Sequence, residues 1–145
     1  MLKRWLKEIT NIDGVEGVYV ATNRADIVNT SGLKFSDDEL RDLTKRFLRI
    51  IAAFDYNNER ITELEYYWQN YFLICKNSNH FMLVTVCRSP NVLSLLRITL
   101  NVAMANLLED RKFNKWLKSH IADRGFFLRK EGLTLAEEKL LAKLK

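Results

Sequence analysis

Leu6-Lys7-Glu8-Ile9-Thr10-Asn11-Ile12-Asp13-Gly14-Val15-Glu16-Gly17-Val18-Tyr19-Val20 changes its hydrophobic period part-way along. On the N-terminal side Leu2, Trp5, Leu6, Ile9 and Ile12 recur at spacings of three and four, the pattern of one apolar face on a short helix. On the C-terminal side Val15, Val18, Tyr19 and Val20 form a β-rich run that extends to Thr22. Gly14 and Gly17 bracket the turn between them. The chain therefore opens as helix, turn and strand.

Working outward, Ile27 and Val28 supply a second short strand over Asp26 to Thr30, joined to the first through Asn23-Arg24-Ala25, and Ser31-Gly32 closes the hairpin. Ser36 is a good N-cap, with Glu39 three residues later in a capping box and Asp37 and Asp38 at the positive end of the helix dipole. Behind it Leu40, Leu43, Phe47, Ile50, Ile51 and Phe54 make an apolar stripe of more than four turns, which ends at Asp55-Tyr56-Asn57-Asn58. Three strands are expected next: Arg60 to Trp68, Tyr71 to Lys76, and His80 to Cys87. Ser89-Pro90 then reads as an N-cap and first helical residue. The helix that follows carries Leu95, Leu96, Ile98, Leu100, Val102, Ala103, Leu107 and Leu108 around more than one face, the pattern of a helix packed on two sides. Beyond Glu109, Phe113, Trp116, Leu117 and Ile121 give a weaker amphipathic pattern among charges. Thr134 to Lys145 is a short helix candidate with Leu135, Leu140, Leu141 and Leu144 as docking residues.

The fold class is α/β in the α+β sense: one five-stranded, mostly antiparallel sheet in the order α-β-β-α-β-β-β-α, with helices on both faces. Residues 1–108 are expected to form the domain, and 109–145 a basic helical C-terminal extension. The chain has 145 residues, is 48% hydrophobic and 28% charged, and contains one proline, which predicts a folded globular protein. Lys3, Arg4, Lys7 and Glu8 interrupt the N-terminal segment, so it reads as mature sequence and not as a secretory signal. Val92 to Leu108 is broken by Arg97 and Asn101 and is too short to span a bilayer. Cys75 and Cys87, the only two cysteines, suit a reducing cytoplasm and are expected to lie too far apart along antiparallel strands to pair. Nearly all of the net charge of +5 falls in the C-terminal extension.

No pattern of catalytic chemistry emerges. His80 lies beside a turn and His120 in the basic extension, without Cys, Asp or Glu at ligand spacing, so both read as surface histidines. Gly14 and Gly17 are too few for a phosphate-binding loop. Glu63 and Glu65 share one strand face, but nothing in the sequence desolvates one relative to the other, as an acid and base pair requires. Arg111, Lys112, Lys115, Lys118, Arg124, Arg129 and Lys130 interleave with Phe113, Trp116, Phe126 and Phe127. That arrangement suits single-stranded nucleic acid, although the ring spacing fits a helix packing on its own core better.

The order of elements, the stretch from Leu6 to Val20 with its glycine-valine turn, and the helix around Leu96-Arg97 resemble the roadblock/dynein-light-chain superfamily, a profilin-like α/β domain. The resemblance covers about residues 2–108. It departs at the first hairpin, which lacks the glycine often found there, and it does not reach the 37 residues after Leu108. The resemblance implies a non-catalytic homodimer that joins sheets edge to edge and lays its middle helices side by side, needs no cofactor or metal, and serves as an adaptor or regulator of a small Ras-like GTPase or a multiprotein complex in the cytoplasm. An edge strand over Arg60 to Trp68 would find its missing partner in a symmetry mate. Phe47, Ile51, Phe54, Ile61, Leu64 and Tyr66 are the expected contributors to that two-fold interface, although the first three serve equally to cover the protomer's own sheet. Arg41, Arg46, Arg49, Arg60 and Arg97 are all formally available to a nucleotide, and none is singled out. Two other classes compete: a nucleic-acid-associated protein acting through the extension, and a sensory domain with a small-molecule pocket against the sheet.

Overall fold

The strand Phe81–Cys87 (β5) is buried at every position, and the fold is built around it. In the computed structural model, which describes residues 2–78 and 80–118, β5 lies at the centre of a five-stranded antiparallel sheet. On one side it pairs with Val15–Thr22 (β1), and on the other with Tyr71–Asn77 (β4). Ile27–Ser31 (β2) and Glu63–Trp68 (β3) form the two edges, giving the order β2-β1-β5-β4-β3.

Alternation along the strands divides the interior into two cores. Val18, Val20, Ile74, Leu83 and Cys87 face Leu2–Thr10 (α1), Leu93–Glu109 (α3) and Arg111–Lys118 (α4), which bury Leu6, Ile9, Leu96, Leu100, Leu107 and Phe113 there. Tyr19, Ala21, Leu73, Cys75, Met82 and Val84 face Asp37–Tyr56 (α2), which supplies Leu40, Leu43, Phe47, Leu48 and Ile51. Each core is a sheet face closed by helices, which satisfies the need of a central strand to be covered on both sides.

Helix starts follow the local chemistry. The Ser36 side chain accepts from the Glu39 amide, and the Glu39 carboxylate accepts from the Ser36 amide, completing the expected capping box. Pro90–Val92 forms a turn of 3-10 helix capped by Ser89, so α3 itself begins at Leu93. The chain breaks after Glu109, and the Asp110 carboxylate accepts the Phe113 amide to cap α4. The expected boundary at residue 108 thus falls between two helices that share one core, since Phe113 packs edge-on to Phe81 at 4.9 Å.

Three local differences from the sequence reading have physical causes. Gly17 lies within β1 and not at a turn, and the position requires glycine because a β-carbon there would come within 2.5 Å of Leu33 and 2.8 Å of the Ser31 carbonyl. At the glycine-free first hairpin Ala25 adopts φ 66 and is held by the Thr22 hydroxyl, which accepts from the Arg24 and Asp26 amides. The third strand starts at Glu63, three residues later than expected, with Ile61 and Thr62 held by the side chain and backbone of Asn77. Cys75 pairs across from Val84 and Cys87 from Phe72. The two thiols therefore lie in different cores, on opposite faces of the sheet.

One buried polar pair ties α2 to β1. The Thr44 hydroxyl donates to the Leu40 carbonyl at 2.7 Å, so it accepts from the Tyr19 hydroxyl at 2.9 Å. Burial raises the Tyr19 pKa far above its ordinary value, against the opposing effect of the Thr44 bond, and keeps the phenol a neutral donor. Thr44→Val, which strands that donor, is expected to cost about 2 kcal/mol, and Tyr19→Phe about 1 kcal/mol. In urea unfolding the double variant should lose less than the sum of the two.

Candidate interaction edge

The outer edge of β3 is the structural feature that invites a partner. Its six residues pair with β4 on one side only, so among the described residues its outward backbone groups have no strand to bond to. Successive side chains go to opposite faces. Leu64, Tyr66 and Trp68 turn toward α2 and are half-buried against its core. Tyr67, 72% exposed, lies on the other face and packs on Phe72 at 5.2 Å.

The residues expected at a two-fold interface fall into two groups. Phe47 and Ile51 are buried within the protomer, and Phe47 meets Tyr66 edge-on at 5.5 Å. Phe47 is 0% and Ile51 6% exposed, so both lie largely within the protomer's own core. Ile61, Leu64 and Tyr66 are half-buried beside them, and Phe54, at the far end of α2, is 42% exposed. Ile50, three residues after Phe47 and four before Phe54, is also half-exposed. It extends the same flank of α2, and the periodicity that marked the stripe did not separate it from the core positions.

An ionic cluster that sequence reasoning missed is built on the opposite face of the same strand. The Arg97 guanidinium on α3 reaches Glu63 at 3.0 Å and Glu65 at 2.5 Å, and Lys76 on β4 reaches Glu63 at 2.8 Å. Burial would raise the Glu63 pKa, but Lys76 and Arg97 outweigh it and hold the carboxyl below its ordinary range. A general acid needs the reverse. The Glu63 carboxylate is thus held as an anion, and Arg97 is committed to Glu63 and Glu65 together. The spacing of Glu63 and Glu65 signalled a shared face, but nothing in the sequence placed an arginine from a distant helix over it.

Other chemistry weighed from the sequence finds little support. Desolvation pushes the Cys75 thiol up to about 12 and the Cys87 thiol up to about 11, leaving both neutral. No group of three or more potential metal ligands occurs among the described residues. His80 is exposed and lies with Arg60, Met104, Leu108 and Leu117 at an open cleft of about 320 Å³ near the α3-α4 corner. Asn114, also there, spends its amide on the carbonyls of Leu107, Leu108 and Asp110. Among the described residues no helix is long and apolar enough to cross a membrane. His120, Arg124, Phe126, Phe127, Arg129, Lys130 and the helix candidate at 134–145 lie outside the described residues.

A five-stranded antiparallel sheet covered by α2 on one face and by α1 and α3 on the other, with β3 at its rim, is the architecture of a roadblock/LC7 domain. Solved structures bear this out. Myxococcus xanthus MglB superposes with a TM-score of 0.66 at 13% identity, covering 74% of this chain and 92% of that one. The gliding protein MglB from Thermus thermophilus gives 0.57 at 14% identity, covering 70% and 82%. A roadblock/LC7 domain from Streptomyces avermitilis gives 0.58 at 8% identity, covering 73% and 93%. No protein-family profile and no curated protein sequence matches the chain. The likeness is therefore one of fold.

The Glu63 cluster makes a prediction for acid stability. Because the folded state holds Glu63 below its ordinary pKa of 4.5, the stabilisation it gives is complete above that value and is lost as the pH falls through the depressed one. Glu63→Gln should flatten this part of the stability profile in urea titrations run from neutral to acidic pH, and leave the remainder unchanged.

Proposed function

We propose that the chain is a non-catalytic, dimeric adaptor or regulator that pairs through the β3 edge and serves a small Ras-like GTPase or a multiprotein complex. The observation that carries this reading is the unpaired rim of β3, flanked by exposed Phe54 and half-exposed Ile50, in a domain of roadblock fold. Antiparallel pairing with a symmetry mate would satisfy that rim and bring two α2 helices alongside each other. Phe54, Ile61, Leu64 and Tyr66 then contribute side chains to the contact, and Phe47 and Ile51 shape it from beneath. A related structure solved as "MglB with tetrameric arrangement" agrees with self-association as a habit of this fold. The GTPase follows from the resemblance to the superfamily, whose bacterial members often partner such enzymes. A cytoplasmic setting is part of the same proposal and accords with two buried, unpaired thiols.

A nucleic-acid role is the second reading, supported by α4. Arg111, Lys112, Lys115 and Lys118 are exposed there beside Trp116, which is 40% exposed. Against it, Phe113 and Leu117 are spent on the core. It requires binding to single strands that weakens steeply with salt, whereas the adaptor reading expects none at physiological ionic strength.

Light scattering across a tenfold dilution should return twice 17.1 kDa, and a stable monomer would sink the edge-paired dimer. Phe54→Asp places a charge on the α2 flank without disturbing the core. It should weaken the dimer at least tenfold, about 1.4 kcal/mol, while circular dichroism stays unchanged. Capture of a Ras-like GTPase by the wild type but not by this variant would join the dimer to the partner.

A further inference from the structure

Three helices close one face of the sheet, and their outer sides make a single surface. α1, α3 and α4 share one core, and α1 and α4 each pack against α3. On α3, Leu96, Leu100, Ala103 and Leu107 are buried toward the sheet, while Leu95, Ile98 and Val102 on the opposite side are 60%, 65% and 45% exposed. The latter fall at i, i+3 and i+7, and exposed Ala105 continues the row. Single exposed apolar residues need no explanation, but a contiguous row marks a docking surface.

The charges around the row decide what it fits. On α1, Lys3, Arg4 and Lys7 are exposed, opposed by Glu8, which lies 3.7 Å from Arg4. On α4, Arg111, Lys112, Lys115 and Lys118 are exposed in a helix that contains no acidic residue. Glu109 is the one exposed acid of α3, Arg97 is held by Glu63 and Glu65, and Asp110 caps α4. Beyond α1, Asp13 and Glu16 each lie 3.9 Å from Arg88. The outer side of α2, on the other face of the sheet, is mixed in sign, with Asp37, Asp38, Glu39 and Asp42 exposed beside Arg41 and Arg46. Among the described residues, one face of the domain therefore joins an aliphatic row to an excess of positive charge, and the other does not.

That combination fits an anionic lipid surface. Lysines and arginines are drawn to such a surface, and aliphatic side chains between them enter the acyl boundary. Long basic side chains lie along apolar surface while their charged ends stay among the headgroups. Trp116 on α4, 40% exposed, is of the residue type that settles at headgroup depth. Nucleic acid would use the cations but not the row, since single strands stack on aromatic rings and gain nothing from leucine, isoleucine or valine. A partner's amphipathic helix seats in a groove, whereas these side chains stand on the crest of α3.

We propose that the outer face of α1, α3 and α4 docks on an anionic membrane, with Leu95, Ile98 and Val102 entering the lipid and the basic residues of α1 and α4 meeting the headgroups. Sedimentation of the full chain with vesicles at ~150 mM salt tests this. Phosphatidylcholine vesicles containing one quarter phosphatidylserine should bind the protein at least tenfold more tightly than phosphatidylcholine alone. Leu95→Ser with Ile98→Ser removes apolar surface and no charge, and should weaken that binding at least tenfold. Lys112→Gln with Lys115→Gln removes charge alone and should weaken it about twentyfold, at roughly fivefold per residue. All four positions are exposed, so circular dichroism should match the wild type. Arg41→Gln with Arg46→Gln, on the α2 side, should bind as the wild type does. Failure to bind anionic vesicles, binding unchanged by the serine pair, equal loss in the α2 variant, or tighter binding to oligodeoxythymidine at the same salt would each overturn the proposal, the last in favour of nucleic acid. The surface does not depend on pairing at β3, so a monomeric wild type leaves this test intact.

Discussion

Everything in this domain depends on covering β5 from both sides. Seven consecutive buried residues make it a strand with no solvated face, and each of its neighbours supplies only one layer of what it needs. The helix α2 closes one face and α1, α3 and α4 close the other, so four helices are committed before any interaction with another molecule. What remains for partners is what that arrangement cannot bury: the rims of the sheet and the outer surfaces of the helices.

At the β3 rim the two faces differ in character. Toward α2 lie the aromatic and aliphatic side chains of Leu64, Tyr66 and Trp68, and on the other face lie Glu63 and Glu65, neutralised by Arg97 and Lys76. Two such strands brought side by side in an antiparallel pair would set four carboxylates close together on one face. Arg97 supplies countercharge from above the strand, which keeps a carboxylate-bearing edge compatible with pairing. At 42% side-chain exposure the arginine is screened by solvent and adds little to the stability of one protomer.

Much of the fold was legible because the local signals agreed with one another. Ser36 and Glu39 marked the start of α2, Ser89-Pro90 the approach to α3, and the shift of period across Gly14 the passage from α1 to β1, each from chemistry confined to a few residues. The interaction surface was less legible, for a geometric reason. The stripe on α2 runs through Leu43, Phe47, Ile50, Ile51 and Phe54, and a helical wheel cannot say where the sheet beneath it ends. Phe47 is buried in the core against the sheet, whereas Phe54, two turns further on, is 42% exposed. Arg97 was one of five arginines with nothing to distinguish it until α3 was laid across the sheet and brought it to Glu63, 34 positions away in the chain. The double apolar character of α3 was visible as more than one face, and the structure separates those faces into one buried row and one exposed row.

The strand order also dictates when this protein becomes whole during its synthesis. The first hairpin, β1 with β2, does not pair with the strands that follow it next in sequence but with β5, where Thr22 lies opposite Phe81 and Val15 opposite Cys87. Until β5 has emerged from the ribosome, β1 has a partner on one side only, and the aliphatic row of Val18 and Val20 has no completed sheet to join. Contacts this distant in sequence are slow to close, and they leave strand edges open while they wait. A nascent chain of this fold therefore carries an unsealed hairpin and helix until β5 is available, and its sheet cannot close before then.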